Sequence, residues 1–520
     1  MNERVLALTA TATPQVLDDV CRGFGIDPAC AVRTGFYRPN LTLLTTPVSR
    51  EDRDTMLLDR LNARAAGPTI VYVTLQRTSE EVAARLAAAG FPARAYHAGM
   101  EDADRAAVQD WFFASDRAIV VATIAFGMGI DKANIRYVYH YNLPKSLENY
   151  SQEIGRAGRD GEPSICEVLA CLADLNTLEN FVYGDTPALA SVLSLVTDLF
   201  GRGEHLELSL YELSYRHDIR TLVLRTLLTY LELDGYLVEG TPFYSQYRFK
   251  PLAASADIIA KFQGERREFL SKLLARCRKG KNWFSIDLDE AARATGSPRE
   301  RVVRALDYLG EQQLLELEAE GVRNRFRRLR RPDDLGELAS DLHERALARE
   351  KREIARLHQT VGLLRHDGCQ VSHLGAHFGE PLPGPCGHCS WCRSGHKPAQ
   401  LPARPRGKIE EAQWRDAARV REENLEVLAE PRALARFLCG LTSPRISRAK
   451  LSSHGLFGVF SEVPFGEVLE QAGRTCAPGP GNAIHDAAGA TAPAEAGPES
   501  PCSRGPARDT LNREARTTPS

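Results

Sequence analysis

Val120-Val121-Ala122-Thr123-Ile124-Ala125-Phe126-Gly127-Met128-Gly129-Ile130-Asp131 is the stretch that decides how this sequence folds. A β-branched run ends at a hydroxyl, and two glycines and a carboxylate follow. This reads as a strand entering a loop whose small residues let a phosphate or ribose come close to the backbone. Alone the pattern is weak, because any turn from strand to helix uses glycine. About twenty residues later comes Gln152-Glu153-Ile154-Gly155-Arg156-Ala157-Gly158-Arg159-Asp160, two arginines three apart among small residues. On one helical turn such positions share a face and reach a single anion. A planar, permanently charged guanidinium suits a phosphate that gains charge during reaction. A solvated basic turn has the same residues, so the rest of the chain must decide.

Working outward, residues 1–185 alternate apolar runs with amphipathic segments. The runs are Val5–Leu8, Leu41–Thr46, Thr69–Val73, Ala118–Ala122, Tyr137–Tyr141 and Ile165–Ala170; Ser79–Ala89 and Asp104–Phe113 read as helices between them. Such alternation predicts an α/β domain, a mostly parallel sheet covered on both faces. Ligands of these sheets bind beyond the carboxyl ends of the strands. Thr9-Ala10-Thr11, Thr123–Asp131 and the loop before Gln152 are the segments expected there.

Residues 186–260 and 261–334 read as two similar modules. In the first, helices Leu208–Tyr215 and Thr221–Leu233 precede a short strand Tyr236–Val238, a turn at Gly240-Thr241-Pro242 and a return over Tyr244–Phe249. In the second, Asp289–Ala294 and Arg299–Gly310 precede Leu314–Leu317, a turn at Glu320-Gly321 and a return over Arg323–Leu329. Ser297 and Glu300 have capping-box spacing. Two helices followed by a β-ribbon is a winged-helix arrangement; αβ modules that only pack would give the same pattern. In Gly321–Arg331 six arginines surround Phe326. On a ribbon Arg323, Arg325 and Arg327 would share one face, suited to a DNA backbone, with Phe326 toward the core. The alternative is an edge strand kept soluble by charge. Arg276–Lys281 is a second basic cluster, read as a loop.

Residues 335–396 begin as a charged helix, Leu335–Arg365, and lead into Cys369, Cys386, Cys389 and Cys392. Four thiolates at these spacings can close a tetrahedron around Zn²⁺ and leave no open position, so the role expected is structural. His373, His377 or His388 in place of one thiolate is the variant reading. The remaining cysteines of the twelve are scattered singly, which argues against a disulfide framework. A proline-rich linker (397–409), a small helical domain (410–473) and a disordered tail (474–520) complete the expected order. Lys+Arg total 66 against Asp+Glu 68, so net charge does not single out a nucleic-acid partner. The N-terminal apolar run is too short for a signal peptide and no run approaches a membrane span. The expected location is cytoplasmic or nucleoid-associated, with no membrane partner.

These segments resemble the RecQ family of superfamily-two DNA helicases. LALTATAT (6–13) is similar to that family's motif III, and IVYVTLQRTSEEVAARL with AYHAGM to motif IV and its sequel. VVATIAFGMGIDKANIRYVYHYNLP is similar to motif V, and Glu148 through Asp160 to motif VI. The likeness is continuous over residues 5–170. GCQVSHLGAHFGEPLPGPCGHCSWC resembles the family's zinc-binding segment, with matching cysteine spacing. The resemblance implies a RecA-like second helicase lobe and an ATP-dependent 3′-5′ DNA helicase active in recombination and repair. Its cofactors would be ATP, Mg²⁺ and Zn²⁺, and its partner single-stranded or partly duplex DNA. Arg159 would be an arginine finger on the γ-phosphate, with Arg156 and Gln152 lining that site. Gly129 and Asp131 match positions near the nucleotide, and Thr123 one on the DNA backbone. Thr9 and Thr11 would couple DNA grip to nucleotide state.

Two departures matter. The chain starts at motif III, and neither of its Gly-Lys pairs, 280–281 and 407–408, is followed by Ser or Thr. The expectation is therefore a chain without the ATP-binding first lobe, inactive by itself, with a first helicase lobe in trans as a candidate partner. The alternative is a non-catalytic DNA-binding protein built from the second lobe and its modules. The zinc cysteines also follow both modules instead of preceding them, an order that resembles the Rothmund–Thomson branch.

Overall fold

Six parallel strands form the sheet that carries the motifs. They are β1 (Leu41–Pro47), β2 (Thr69–Tyr72), β3 (Ala93–Tyr96), β4 (Ile119–Ala122), β5 (Tyr137–His140) and β6 (Ser164–Ala170). Their order is β1-β6-β5-β2-β4-β3, every pair parallel. The structure is a computed structural model and describes residues 5–9, 11–127, 129–280 and 283–476. Successive side chains of a strand point to opposite faces, and here both faces are covered. Ile70, Val120, Val138 and Val168 enter one core, and Val71, Val121, Tyr139 and Leu169 the other. This is the α/β arrangement the apolar runs predict, with two differences. Val5–Leu8 is not a strand; Leu6 and Leu8 are more than 80% exposed, with no strand beside them among the described residues. Ala93–Tyr96 is an edge strand although Arg94 interrupts it, because that guanidinium lies over the Trp111 ring at 4.3 Å.

The next part departs from two consecutive modules. Its strands are β7 (His205–Leu208), β8 (Leu237–Glu239), β9 (Phe243–Pro251), β10 (Arg278–Lys279), β11 (Phe284–Asp287) and β12 (Leu315–Arg328). β12 is one strand of 14 residues, not a hairpin. Its Leu315–Arg323 part pairs with β9, and its Asn324–Arg328 part pairs with β7 and β8. The expected β8–β9 hairpin is likewise absent. Gly321 does not turn the chain back; it takes φ 69° within the strand, where a Cβ would meet the Ser245 hydroxyl at 2.7 Å. The division at residue 260 therefore does not hold as two closed ribbons. Phe326 closes the first core with Val192, Leu224 and Leu342, while Phe249 and Leu315 close the second with Leu273 and Leu306.

Smaller corrections follow from the same geometry. Pro298, not Ser297, caps the helix Arg299–Glu311, so the capping box does not form. Arg278 and Lys279 pair with Ser285 and Phe284 as a short hairpin rather than a loop, and Lys281 lies outside the described residues. The helix Leu335–Arg365 runs for 31 residues. Leu338 and Leu342 sit in the first helix–ribbon core, and Leu357, Val361 and Leu364 sit in the sheet core, so one helix braces both. Beyond the linker, helices between Glu411 and Cys476 bury Trp414, Phe437, Phe460 and Phe465 around one core. The last helix passes Gly473 and ends at Cys476; the expected tail beyond it lies outside the described residues. No helix of the described residues is long and apolar enough to cross a membrane.

Phe326 is the residue through which the shared strand enters the first core, where it is 5% exposed. Phe326→Ala should cost about 3–5 kcal/mol there. Hydrogen exchange should show lost protection in helices Leu189–Gly201 and Thr221–Leu233, with β1–β6 unchanged.

Candidate active-site cleft and metal centre

The helix Leu147–Ile154 positions the arginine turn. The Ser146 hydroxyl caps it by accepting from Asn149 N at 3.2 Å. Beneath it Glu153 and His140 form a buried pair at 2.7 Å that ties the helix to β5. The helix stops at Ile154, and residues 155–160 form successive turns, so the arginines do not share a helical face as expected. Gly158 fixes one of these turns. It has φ 54°, and a Cβ there would lie 2.5 Å from Asn40 Nδ2 and 2.8 Å from the Glu162 carbonyl. Its N–H donates to the Ile135 carbonyl at 2.9 Å, which fixes the turn on the segment after β4.

The turn sends the two arginines to different partners on one cleft. Arg159 Nη1 donates to Asp131 Oδ1 at 2.6 Å, and Asp131 is itself largely in solvent. Arg156 is half-buried beside Gly127, where a Cβ would meet its Nη2 at 2.9 Å. Its Nε is buried without a hydrogen-bond partner. The Gln152 amide donates to the Thr11 hydroxyl at 2.8 Å. Thr11, Gln152, Arg156 and Arg159 line one cleft of about 430 Å³. Under it the Tyr72 phenol donates to the Phe126 carbonyl at 3.1 Å, and burial pushes its pKa well up, so it stays protonated.

Sequence reasoning missed the opposite wall. Phe36, Tyr37 and Arg38 line it together with Val371 and Leu374 of the cysteine-bearing segment. Arg38 donates to the Ala157 carbonyl at 3.2 Å and so braces the turn. No pattern near residue 38 marks it, because its partner is 119 positions away. Not every expected residue joins the cleft. Thr9 is exposed and its hydroxyl accepts from Thr11 N at 3.4 Å, while Ala10 is outside the described residues. Gly129 is exposed at φ 82°. Thr123 sits at the carboxyl end of β4 and does not line that cleft; its neighbour Ile124 borders a shallow depression with Thr74, Asn142 and Lys145. On β12, Arg323, Arg325 and Arg327 stand opposite to buried Phe326. Two of them meet carboxylates: Arg323 lies 3.3 Å from Glu212 and Arg325 3.4 Å from Glu207.

The four cysteines do converge. Sγ atoms of Cys369, Cys386, Cys389 and Cys392 all lie within 4.8 Å of one another. Ligands about 2.3 Å from a central Zn²⁺ at tetrahedral angles fit that spacing. Backbone N–H groups of His388 and Cys389 point at Cys386 Sγ at 3.4 and 3.3 Å, as thiolate sulfur requires. The histidines are engaged elsewhere: His377 with Glu148 at 3.0 Å, His388 with the Tyr37 hydroxyl at 3.1 Å, His373 against the His366 ring. A four-thiolate Zn²⁺ site is the fit. Bound there, Zn²⁺ would supply cross-linking, not reaction chemistry. Metal analysis should return about one Zn²⁺ per chain, and Cys389→Ser should unfold residues 366–393 locally, since thiolate binding and folding are coupled. Hydrogen exchange over that segment reads the loss.

Known proteins match the same parts of the chain. Residues 52–161 match the helicase conserved C-terminal domain, and residues 327–393 match the RecQ zinc-binding family. The chain is 40% identical over 195 residues to a putative ATP-dependent DNA helicase Q1 of Caenorhabditis briggsae, covering 37% of this chain and 32% of that protein. It is 42% identical over 171 residues to the ATP-dependent DNA helicase RecQ of Bacillus subtilis, covering 33% and 29%. With the bifunctional 3'-5' exonuclease/ATP-dependent helicase WRN of Mus musculus it shares 41% over 183 residues, 34% of this chain and 13% of that one. The chain thus spans a third or less of the length of these relatives. The arginine turn falls inside the first family match and the four-cysteine cluster inside the second, so these two parts of the chain are similar to the helicase conserved C-terminal domain and to the RecQ zinc-binding segment.

Proposed function

We propose that the chain serves as the second motor lobe and DNA-gripping part of an ATP-dependent 3′-5′ DNA helicase of RecQ type, acting in recombination and repair. The observation that carries this reading is the convergence of Thr11, Gln152, Arg156 and Arg159 on one cleft, with a buried Arg156 nitrogen unpaired. Arg159 is poised to exchange partners. Its bond to the exposed Asp131 carboxylate is of the kind worth about 0–1 kcal/mol in solvent. A γ-phosphate gaining charge in a closed site would hold it more strongly. Gln152, already bonded to Thr11, would register the same event on the segment that links DNA grip to nucleotide state.

Since neither Gly-Lys pair continues into Ser or Thr, this reading takes the phosphate loop and the Mg²⁺ carboxylates from a first lobe, joined to this chain or supplied in trans. The zinc segment lies after the helix–ribbon units, which supports placement nearest the Rothmund–Thomson branch. DNA would engage through the arginine face of β12, where Arg327 has no carboxylate within ion-pair distance among the described residues. On this reading the protein would work in the cytoplasm or on the nucleoid.

The chain by itself should show no DNA-stimulated ATP hydrolysis. Joined to a RecQ-type first lobe it should hydrolyse ATP, and Arg159→Ala should lower that turnover by about 10³-fold or more. Unchanged turnover in that variant would overturn the assignment. Absence of turnover in the joined protein would favour a non-catalytic DNA binder.

Replacing Arg323, Arg325 and Arg327 together by Gln should flatten the log–log salt dependence of DNA binding by about two to three units and weaken all sequences alike. A circular dichroism spectrum equal to wild type is the accompanying control, and an unchanged slope would move the contact elsewhere.

A further inference from the structure

We propose a second nucleic-acid contact beside the arginine ribbon: a stacking platform for an unpaired strand, formed by Tyr211 and Tyr215 and flanked by Arg445 and Arg448 of a short helix packed on theirs. It rests on the reading above that this chain binds nucleic acid, and it names the form bound.

The helix Leu210–His217 buries Leu210, Leu213, Ser214 and His217 on one side. Tyr211 and Tyr215, four residues apart, share the other side. Tyr211 is 67% exposed, and the two rings lie 4.6 Å apart at 55°, so each presents a face or edge at one patch. Neither ring belongs to the core beneath.

The flanking arginines come from a distant part of the chain. The short helix Pro444–Arg448 packs across this helix: Arg445 N donates to the Asp218 carboxylate at 2.8 Å, and its guanidinium donates to the Arg216 carbonyl at 3.1 Å. Arg448, on the same short helix, is exposed. Nearby Arg202 and Arg216 share the one Asp198 carboxylate. The side-chain charges of Arg445 and Arg448 have no carboxylate within ion-pair distance among the described residues. Exposed aromatic faces beside unneutralised cations are what an unpaired strand recognises, since its bases stack and its phosphates are attracted. A duplex keeps its bases stacked on one another and cannot use the rings. The platform also adjoins the ribbon, because Glu212, next to Tyr211, holds Arg323 at 3.3 Å. A strand leaving a duplex held on the ribbon would meet the tyrosines.

The test uses the full chain and fluorescence anisotropy with labelled oligo-dT, oligo-U and a blunt DNA duplex of equal length. Tyr211→Ala with Tyr215→Ala should weaken oligo-dT about tenfold or more, with the salt slope and duplex affinity unchanged. Retained duplex binding shows that the variant is folded. Tyr211→Phe with Tyr215→Phe, which keeps the rings, should bind as wild type. Arg445→Gln with Arg448→Gln should flatten the single-strand salt slope by about two units. Equal effects on oligo-dT and oligo-U support the shared chemistry, and an effect on one alone identifies the strand it takes. Wild-type oligo-dT and oligo-U affinity in the double alanine variant overturns the platform while leaving duplex binding on the ribbon intact. Equal losses in the alanine and phenylalanine variants also overturn it, since stacking would not then be the cause. A wild-type chain that binds none of the three probes overturns both readings.

Discussion

The docking of the zinc-binding segment on the parallel sheet is the contact on which the cleft depends. β1 is an edge strand, and its free Thr45 N–H donates to the Ser390 hydroxyl at 2.7 Å, while Gln370 donates to the Thr45 hydroxyl at 2.9 Å. Phe378 stacks on Phe36 at 4.2 Å, and Glu380 accepts from Phe36 N. On the far side Glu148 receives His377 and Arg356, each at 3.0 Å. The hydrogen bond from His377 is the main cause that holds the Glu148 carboxyl well below the usual carboxylate range. A carboxylate so depressed contributes its stability in full above about pH 4.3, its unfolded value, and loses it only as acid passes the lower folded value. The helix bearing Gln152 and the wall bearing Leu374 are therefore held together across the neutral range.

The metal centre thus has a mechanical consequence beyond local folding. Cys369 begins the helix whose Leu374 lines the cleft, and Leu374 and the capping Phe378, each 2% exposed, fill the sheet core. Without the cross-link, a short segment rich in glycine and proline would have to hold that wall by its packing and its few hydrogen bonds to β1, Phe36 and Glu148. The charged helix Leu335–Arg365 extends the brace, with one end in the sheet core and the other in the first helix–ribbon core. β12 then joins that core to the second. A force applied at the arginine ribbon therefore reaches the arginine turn through continuous packed elements.

Much of the chemistry was legible in the sequence because it is local. A cysteine spacing limits which thiolates can meet, and most apolar runs of four to seven residues announced buried parallel strands, Val5–Leu8 excepted; the paired arginines announced their common cleft but not the turn that replaces the expected helical face. Phe326 between arginines announced its own burial, since alternation is a property of any strand. The errors arose where pairing is long-range. Nothing near Glu320-Gly321 distinguishes a hairpin turn from a kink in one strand, because the difference lies in whether Tyr244 or Arg328 ends up opposite.

What the sequence determined by itself is which residues carry charge, thiolate and apolar surface, and at what period along the chain. The tertiary structure alone decided that Arg38 braces the turn, that the zinc segment walls the cleft, and that the helix bearing Arg445 and Arg448 packs on the helix bearing Tyr211. Each of those contacts joins residues more than a hundred positions apart. Side-chain type states what a group can do, but its partner is chosen by how the cores close, and that choice has no local signature.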